Sequence, residues 1–173
     1  MTITSRHDRG FTLVELVCAV AIIVTMVAVG MPMFTNAINA RRLTGAVERV
    51  ATDLRFVQSQ AVARNGTFRL HLGNDPDVGK PGQYCLERYV GGANPWVALT
   101  GWYTLSTDYQ GATLQSITDS AAVPVTLYEV RFGPQGSVTN TGPPAYPILL
   151  TVAKSPLPAL TIKVMRSGPI RMS

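Results

Sequence analysis

Residues 9–34, RGFTLVELVCAVAIIVTMVAVGMPMF, place one carboxylate, that of Glu15, at the start of a long apolar run. The 25 residues 16–40 carry no charged side chain, whereas the chain beyond them has the composition of an ordinary soluble protein. At 1.5 Å per residue, a helix over residues 16–34 spans roughly 28 Å, close to the ~30 Å hydrocarbon layer of a bilayer. The run therefore predicts one membrane-spanning helix.

Two residues of this run are unusual for a simple anchor. The carboxylate of Glu15 costs a few kcal/mol if it lies deep in lipid, and Pro32 removes a helical hydrogen bond near the other end. In a plain anchor, Glu15 would reach the headgroups and Pro32 would be a tolerated kink. A secretory signal fits less well, because its apolar region covers only ~7–15 residues before a small-x-small cleavage site.

The order Gly10, Phe11, Glu15, Pro32 around the apolar run resembles the processing site of type IV pilins and of the related pseudopilins of type II secretion. That family has Gly before the cleavage point and an apolar aromatic residue after it. Glu follows at the fifth mature position and Pro at the twenty-second, where Glu15 and Pro32 stand. The resemblance implies that a prepilin peptidase in the inner membrane cleaves between Gly10 and Phe11 and that the amine of Phe11 is methylated.

Electrostatics gives Glu15 a role in such a filament. Cleavage makes Phe11 a cationic N-terminus at the positive end of the helix dipole, where a carboxylate one turn further on is favoured. In a filament, Glu15 of one subunit can pair with the amine of its neighbour. Desolvation of both ions offsets most of their attraction, so the pair aligns subunits more than it stabilises them. We expect Glu15, together with Pro32, to act in subunit register and assembly.

Beyond Ala40 the apolar residues form one narrow stripe on a helix. The stripe comprises Leu43, Val47, Val50, Leu54, Val57 and Ala61. The pattern predicts a helix from Thr12 to Arg64 that ends at Asn65-Gly66, with Gly66 in the left-handed position. A coiled coil could also use this stripe, but only about three heptads are present and charges do not flank them regularly, which favours a packed sheet.

From Thr67 the apolar pattern alternates, which predicts half-buried strands separated by turns. The clearest segments are residues 68–72, 123–128 and 160–165, and we expect six to eight strands. The expected class is α+β, with a long N-terminal helix packed on an antiparallel β-sheet domain as in pilins. The expected parts are a leader (1–10), a membrane or filament-core helix half (11–39), an amphipathic helix half (40–66) and a β-rich domain (67–173).

Two further segments are similar to the GspH/FimT branch of the pilin family. Residues 54–65 occupy the matching helix position, although residues 58–61, Gln-Ser-Gln-Ala, differ from the branch's usual residues. Residues 132–138 match its Phe-x-x-x-Gly hairpin through Phe132 and Gly136. The resemblance thus extends from the helix into the β-rich domain.

Residues with catalytic potential are few, and we expect neither an enzyme nor a bound cofactor. His7 lies in the leader, so His71 is the one histidine of the mature chain, and we expect it to face solvent from a strand. A zinc site is not expected, because beyond His71 the chain offers only Cys85 and carboxylates as ligands. Cys85 is expected to be a small buried thiol, since no motif supports a nucleophile. Residues 74–77, Asn-Asp-Pro-Asp, are typical of a solvated turn and lack the bidentate Glu of a calcium loop.

Positive charge is concentrated at the C-terminal end. The net charge is +5, from 15 Lys+Arg and 10 Asp+Glu, and no acid follows Glu129. Four cations there are candidate contacts to a DNA backbone: Lys154, Lys163, Arg166 and Arg171. Gly168 and Arg171 resemble part of a Gly-Arg-x-Arg element of DNA-uptake minor pilins, with Pro169 in place of the first arginine. The alternative is that the cations solubilise a sheet face or meet acidic neighbours.

These observations predict a minor pilin or pseudopilin of the GspH/FimT type that joins the tip of a type IV pilus and primes its assembly. The alternatives are a type II secretion pseudopilin and a DNA-binding minor pilin. Expected partners are the prepilin peptidase, other minor and major pilins or pseudopilins, and the inner-membrane assembly platform. The expected location is the inner membrane, spanned once, with the C-terminal domain in the periplasm until assembly.

Overall fold

The computed structural model describes residues 12–92, 95–121, 126–140 and 146–173. The chain divides into two compact units, Met1–Ile38 and Asn39–Ser173. The described ranges contain two helices and ten strands. In chain order these are α1 (Leu13–Ala63), β1 (Phe68–Leu72), β2 (Gln83–Tyr89), β3 (Trp96–Ala98), β4 (Tyr103–Thr104), α2 (Leu105–Asp108), β5 (Thr113–Thr118), β6 (Thr126–Leu127), β7 (Glu129–Phe132), β8 (Ile148–Ala153), β9 (Leu160–Val164) and β10 (Ile170–Met172).

Helix α1 has a sequence-encoded cap at each end. The Thr12 hydroxyl accepts a hydrogen bond from the Glu15 N–H at 3.2 Å, which satisfies one of the free donors of the first turn. At the other end the Gly66 N–H donates to the Ala61 carbonyl at 3.0 Å, and Asn65 adopts a left-handed φ of 46°. The predicted helix is confirmed to within one residue at each end. The left-handed residue was predicted wrongly: it is Asn65, whose short polar side chain tolerates this conformation.

Helix α1 has two segments, residues 13–38 and residues 39–63, which differ in burial. Residues 12–37 are all exposed, and the helix continues through Pro32. The second segment buries the whole predicted stripe plus two alanines: Leu43, Ala46, Val47, Val50, Ala51, Leu54, Val57 and Ala61. These side chains belong to one core cluster with residues of the strands. The preference for a packed sheet over a coiled coil is thus confirmed.

The strands form two antiparallel sheets. The first sheet has the order β3-β2-β1-β7, with β4 also paired to β2, and the second has the order β10-β9-β8-β5-β6. Both sheets contribute side chains to the core that the second segment of α1 enters. The expected α+β class with an antiparallel β domain is confirmed.

The predicted number of strands was too low. Strands β3, β4, β6 and β10 contain only two or three residues, which is too short for alternation to be recognised in a sequence. The strands predicted over residues 68–72 and 160–165 are confirmed as β1 and β9. Of the third predicted segment, Leu127 lies in β6, whereas Val123 and Val125 lie outside the described residues.

Candidate functional site

The predicted processing residues Gly10 and Phe11 lie outside the described residues, which begin at Thr12. Glu15 lies in the first turn of α1, three residues after the capping Thr12. This Thr-x-x-Glu spacing is that of a capping box. The backbone N–H of Glu15 is thus bonded to Thr12, and its carboxylate is the group for which the register role is predicted.

The apolar segment, residues 13–38, presents its large hydrophobic side chains outward. From Leu13 to Phe34 the least exposed of them, Val27, still shows 51% of its surface. By length and composition α1 is a candidate membrane span, and its most apolar window is wholly exposed in the chain. The Thr25 hydroxyl donates to the Ile22 carbonyl at 2.8 Å, so the helix itself satisfies this polar group. An exposed apolar surface of this size requires lipid or other helices around it.

Gln58 anchors the docked segment, residues 39–63, to the β domain. Its side-chain amide donates to the Gly136 carbonyl at 2.7 Å and to the Gly168 carbonyl at 3.2 Å. A Cβ at Gly168, where φ is +102°, would lie 2.4 Å from the Gly136 oxygen, so the close approach requires glycine. Gln58 was noted in the sequence only as a departure from the branch pattern. A polar residue between the apolar positions Val57 and Ala61 was the available signal.

The predicted cluster of four cations is not formed. Lys154 is only 7% exposed and its ammonium donates to the Gln110 carbonyl, so it cannot contact a phosphate backbone from the surface. Lys163 and Arg171 are direct cross-strand partners on β9 and β10, and Arg166 lies over the Tyr146 ring. The prediction was wrong for Lys154 because the sequence does not show which lysine bends back to a buried carbonyl.

The outward face of the first sheet carries a second polar arrangement. Alternation along β1 buries Phe68, Leu70 and Leu72 in the core and turns Arg69 and His71 to the other face. The register brings side chains from β2 and β7 beside them. We define the outer-face cluster as Arg69, His71, Asp75, Cys85, Glu87, Glu129 and Arg131.

Ion pairs connect three strands within the outer-face cluster. Arg69 contacts Glu87 through Nε and Glu129 through Nη1, both at 2.5 Å. Arg131 contacts the other oxygen of Glu129, also at 2.5 Å. The Trp96 ring lies 3.9 Å from the Arg69 guanidinium and covers these pairs from β3. The pairs are therefore shielded from water, and their geometry is better defined than that of open surface pairs.

The prediction that His71 faces solvent was wrong. The side chain is on the outward face, but only 6% of His71 is exposed, because Trp102 lies 6.0 Å from its ring and the turn after β1 covers it. Its Nε2 lies 3.0 Å from Asp75 Oδ2 and its Nδ1 lies 3.3 Å from Glu87 Oε2. Burial lowers the pKa of His71, but the two carboxylates outweigh it and hold that pKa above its usual value.

The pKa values of Glu87 and Cys85 are shifted by the same buried environment. Burial opposes ionisation of Glu87, yet His71 and Arg69 lower the pKa of its carboxyl to about 2. Burial and the charge of Glu87 raise the pKa of the Cys85 thiol to about 12. Cys85 is buried, as predicted, and a thiol with this pKa is a poor nucleophile at neutral pH. The turn predicted over residues 74–77 is confirmed: Asp75 Oδ1 accepts the Asp77 N–H at 3.1 Å.

Comparison with known protein families identifies the family of this chain. Residues 46–168 match the model of the type II transport protein GspH. The chain belongs to the GspH family. Residues 5–31 of this GspH-family chain also match the prokaryotic N-terminal methylation motif. A search of curated protein sequences finds no significant match.

Solved structures share the fold of this GspH-family chain. The Pseudomonas aeruginosa type IV minor pilin FimU is 15% identical, with a TM-score of 0.51 over 76% of this chain and 92% of FimU. The minor pseudopilin EpsH of the Vibrio cholerae type II secretion system is 14% identical, with a TM-score of 0.53 over 76% of this chain and 96% of EpsH. A further EpsH crystal structure gives a TM-score of 0.54 at 10% identity, over 77% and 96%. At these identities the likeness concerns the fold.

The family and the motif together define the class of protein. The chain is a minor pilin or pseudopilin of a type IV pilus or a type II secretion system, which is a structural subunit. The motif implies partnership with a prepilin peptidase and with other pilins, and the apolar helix implies membrane anchoring. None of these matches supports the DNA-binding alternative.

Proposed function

We propose that this chain is made as a prepilin, cleaved between Gly10 and Phe11 and methylated on the amine of Phe11. Before assembly it spans the inner membrane once, with residues 1–10 in the cytoplasm and the β-rich part, residues 67–173, in the periplasm. The observation that carries this proposal is the fully exposed apolar segment of α1 with Glu15 one turn from the new terminus. Residues 11–39 then form the filament core and residues 40–66 carry the globular part.

Within the filament we place the chain at the tip, where it primes assembly. Membership of the GspH family supports a minor rather than a major subunit. The FimU and EpsH structures resemble the chain equally well, so the same role serves a pilus or a pseudopilus. Deletion of the gene distinguishes the two machines: loss of surface pili with normal secretion identifies a pilus, and the reverse identifies a secretion system. Tip placement predicts immunogold label at filament ends, and label along the filament contradicts it.

Replacing Gly10 tests the processing step. Gly10→Val should leave a precursor longer by the leader, because a branched side chain blocks the small-residue position before the cleavage point. Intact-mass measurement of the membrane-extracted protein shows whether the leader remains. Gly30→Ala is the matched control, since a Cβ there meets no atom within 4 Å, and it should be processed normally. Normal cleavage of Gly10→Val contradicts the proposed processing site.

Replacing Glu15 tests the register pair. Glu15→Ala should leave membrane insertion intact and reduce incorporation into filaments at least roughly tenfold, because it leaves the neighbour's buried amine unpaired. Incorporation is measured by immunoblotting of sheared filaments against the membrane fraction. The exposed acid Glu48 provides the control, and Glu48→Ala should incorporate normally.

Glu15→Gln separates the register pair from the helix-capping contribution that the Thr-x-x-Glu pattern predicts for this side chain. Glutamine keeps the capping-box pattern but has no charge. The register proposal predicts that Glu15→Gln fails as Glu15→Ala does. If Glu15→Gln assembles like the wild type, Glu15 acts by starting the helix, and the ion-pair proposal is overturned.

A further inference from the structure

We propose that His71, Cys85 and Glu87 form a binding site for a divalent metal ion of the zinc class. Their donor atoms, one nitrogen, one sulfur and one carboxylate oxygen, all lie within 4.8 Å of one another. His71 and Cys85 are direct cross-strand partners, and Glu87 follows two residues later on the same face of β2. The sheet register therefore fixes the spacing of all three ligands.

In the neutral form of His71, one ring nitrogen can direct a lone pair toward this site. The Asp75 carboxylate accepts hydrogen bonds and lies 3.0 Å from Nε2, so Nε2 keeps its proton when the ring is neutral. Nδ1 is then the unprotonated nitrogen, and a metal ion that binds Nδ1 takes the place of the second ring proton. It is buried, and within the described part of the chain it has no hydrogen-bond partner, although Glu87 Oε2 lies 3.3 Å away. A carboxylate that orients a histidine whose other nitrogen faces a metal is the usual outer shell of zinc sites.

The charges of the outer-face cluster also favour a cation. Its two guanidinium groups, Arg69 and Arg131, pair with the carboxylates of Glu87 and Glu129. The third carboxylate, that of Asp75, contacts His71. Two guanidinium groups and three carboxylates leave one net negative charge before His71 and Cys85 are counted. Binding of the metal releases the thiol proton of Cys85 and any second ring proton of His71 to solvent. The bound ion and the new thiolate then bring the cluster to neutrality.

The kinds of donor atom indicate the metal. Magnesium and calcium take oxygen ligands, whereas imidazole and thiolate together suit zinc and chemically similar ions. Three protein ligands leave one tetrahedral position for a water molecule or for a side chain of another subunit. The ion would join β1 to β2 and, through Asp75, would hold the turn after β1 next to Trp102.

Titration of the full-length protein tests the proposal. The protein is purified in detergent, stripped with a chelator and titrated with Zn²⁺ by calorimetry and with Co²⁺ by absorption spectroscopy. The expected result is one equivalent of bound metal and a thiolate-to-cobalt charge-transfer band. Cys85→Ser should abolish the band, and Cys18→Ser, a change of the other cysteine, should leave it intact. A wild type that binds no stoichiometric Zn²⁺, or a band that survives Cys85→Ser, overturns the proposal.

A substitution outside the ligand set guards against misfolding of the cysteine variant. Asp75→Asn removes the carboxylate that orients His71 and should weaken Zn²⁺ binding roughly 10–100-fold while the Co²⁺ spectrum keeps its thiolate band. Asp77→Asn, two residues away in the same turn, should bind Zn²⁺ as the wild type does. Equal affinity in Asp75→Asn and Asp77→Asn contradicts the proposed geometry.

Discussion

The two segments of α1 belong to one helix but need different surroundings to bury their apolar side chains. Residues 13–38 are apolar on all sides, and residues 12–37 are all exposed in the chain. Residues 39–63 are apolar along one stripe only, and eight of their side chains are buried. A helix that is apolar all round needs partners on every side, whereas a stripe needs one packed surface. The first segment therefore depends on lipid or other subunits, and the second on its own β domain.

The largest expected loss of stability comes from shortening a buried side chain of residues 39–63. The same kind of change in residues 13–38 should have almost no effect. Leu54 is fully buried, so Leu54→Ala should lower the free energy of unfolding by about 2–5 kcal/mol. Ile23 is 59% exposed, and Ile23→Ala should change it by less than about 0.5 kcal/mol. Urea unfolding of the full chain in detergent, followed by the fluorescence of Trp96 and Trp102, measures both. Equal losses would break the distinction between the segments.

A smaller loss of stability tests the surface on which the docked segment, residues 39–63, packs. Gly168→Ala should cost roughly 3 kcal/mol, because it strains a left-handed backbone and drives a methyl group into Gln58 and the Gly136 carbonyl. Gly101→Ala is the matched control, since its Cβ would meet open space. The same urea titration applies. A Gly168→Ala protein as stable as Gly101→Ala would show that the backbone at Gly136 and Gly168 does not constrain the helix.

The smallest effect concerns the polar contact between the docked segment and β2. The Tyr84 hydroxyl donates to Asp53 at 2.6 Å, so Tyr84→Phe should cost about 1 kcal/mol at neutral pH. Burial and Asp53 raise the pKa of Tyr84 above its ordinary value of 10, so the unfolded chain ionises first as the pH rises. Wild-type stability therefore falls above pH 10, and the difference from Tyr84→Phe should narrow there. A difference that stays constant between pH 8 and pH 11 contradicts this assignment.

Helical features were predictable because their signals are local. Residues three and four apart share a helix face, so Leu43, Val47 and Val50 reveal their common surface in the sequence. Strands of five residues such as β1 also reveal alternation. The two- and three-residue strands were missed, because pairing with a neighbour rather than local pattern defines them.

The candidate metal site could not be predicted for the same reason. His71 and Cys85 are fourteen positions apart and meet only through the register of β1 and β2. Lys154 likewise has a partner distant in the sequence, Gln110. The partners of Gln58 are the carbonyls of Gly136 and Gly168, which are also distant.

The amino-acid sequence by itself determined that this chain contains an apolar helix headed by Glu15, which continues as an amphipathic helix and is followed by strands. It could do so because periodicity and caps act over a few residues. Only the tertiary structure decided that Lys154 is buried, that His71 is buried on the outward face of the first sheet, and which glycines Gln58 contacts. Those outcomes depend on chain segments far apart in sequence, whose contacts form only when the sheets pair and the helix packs on them.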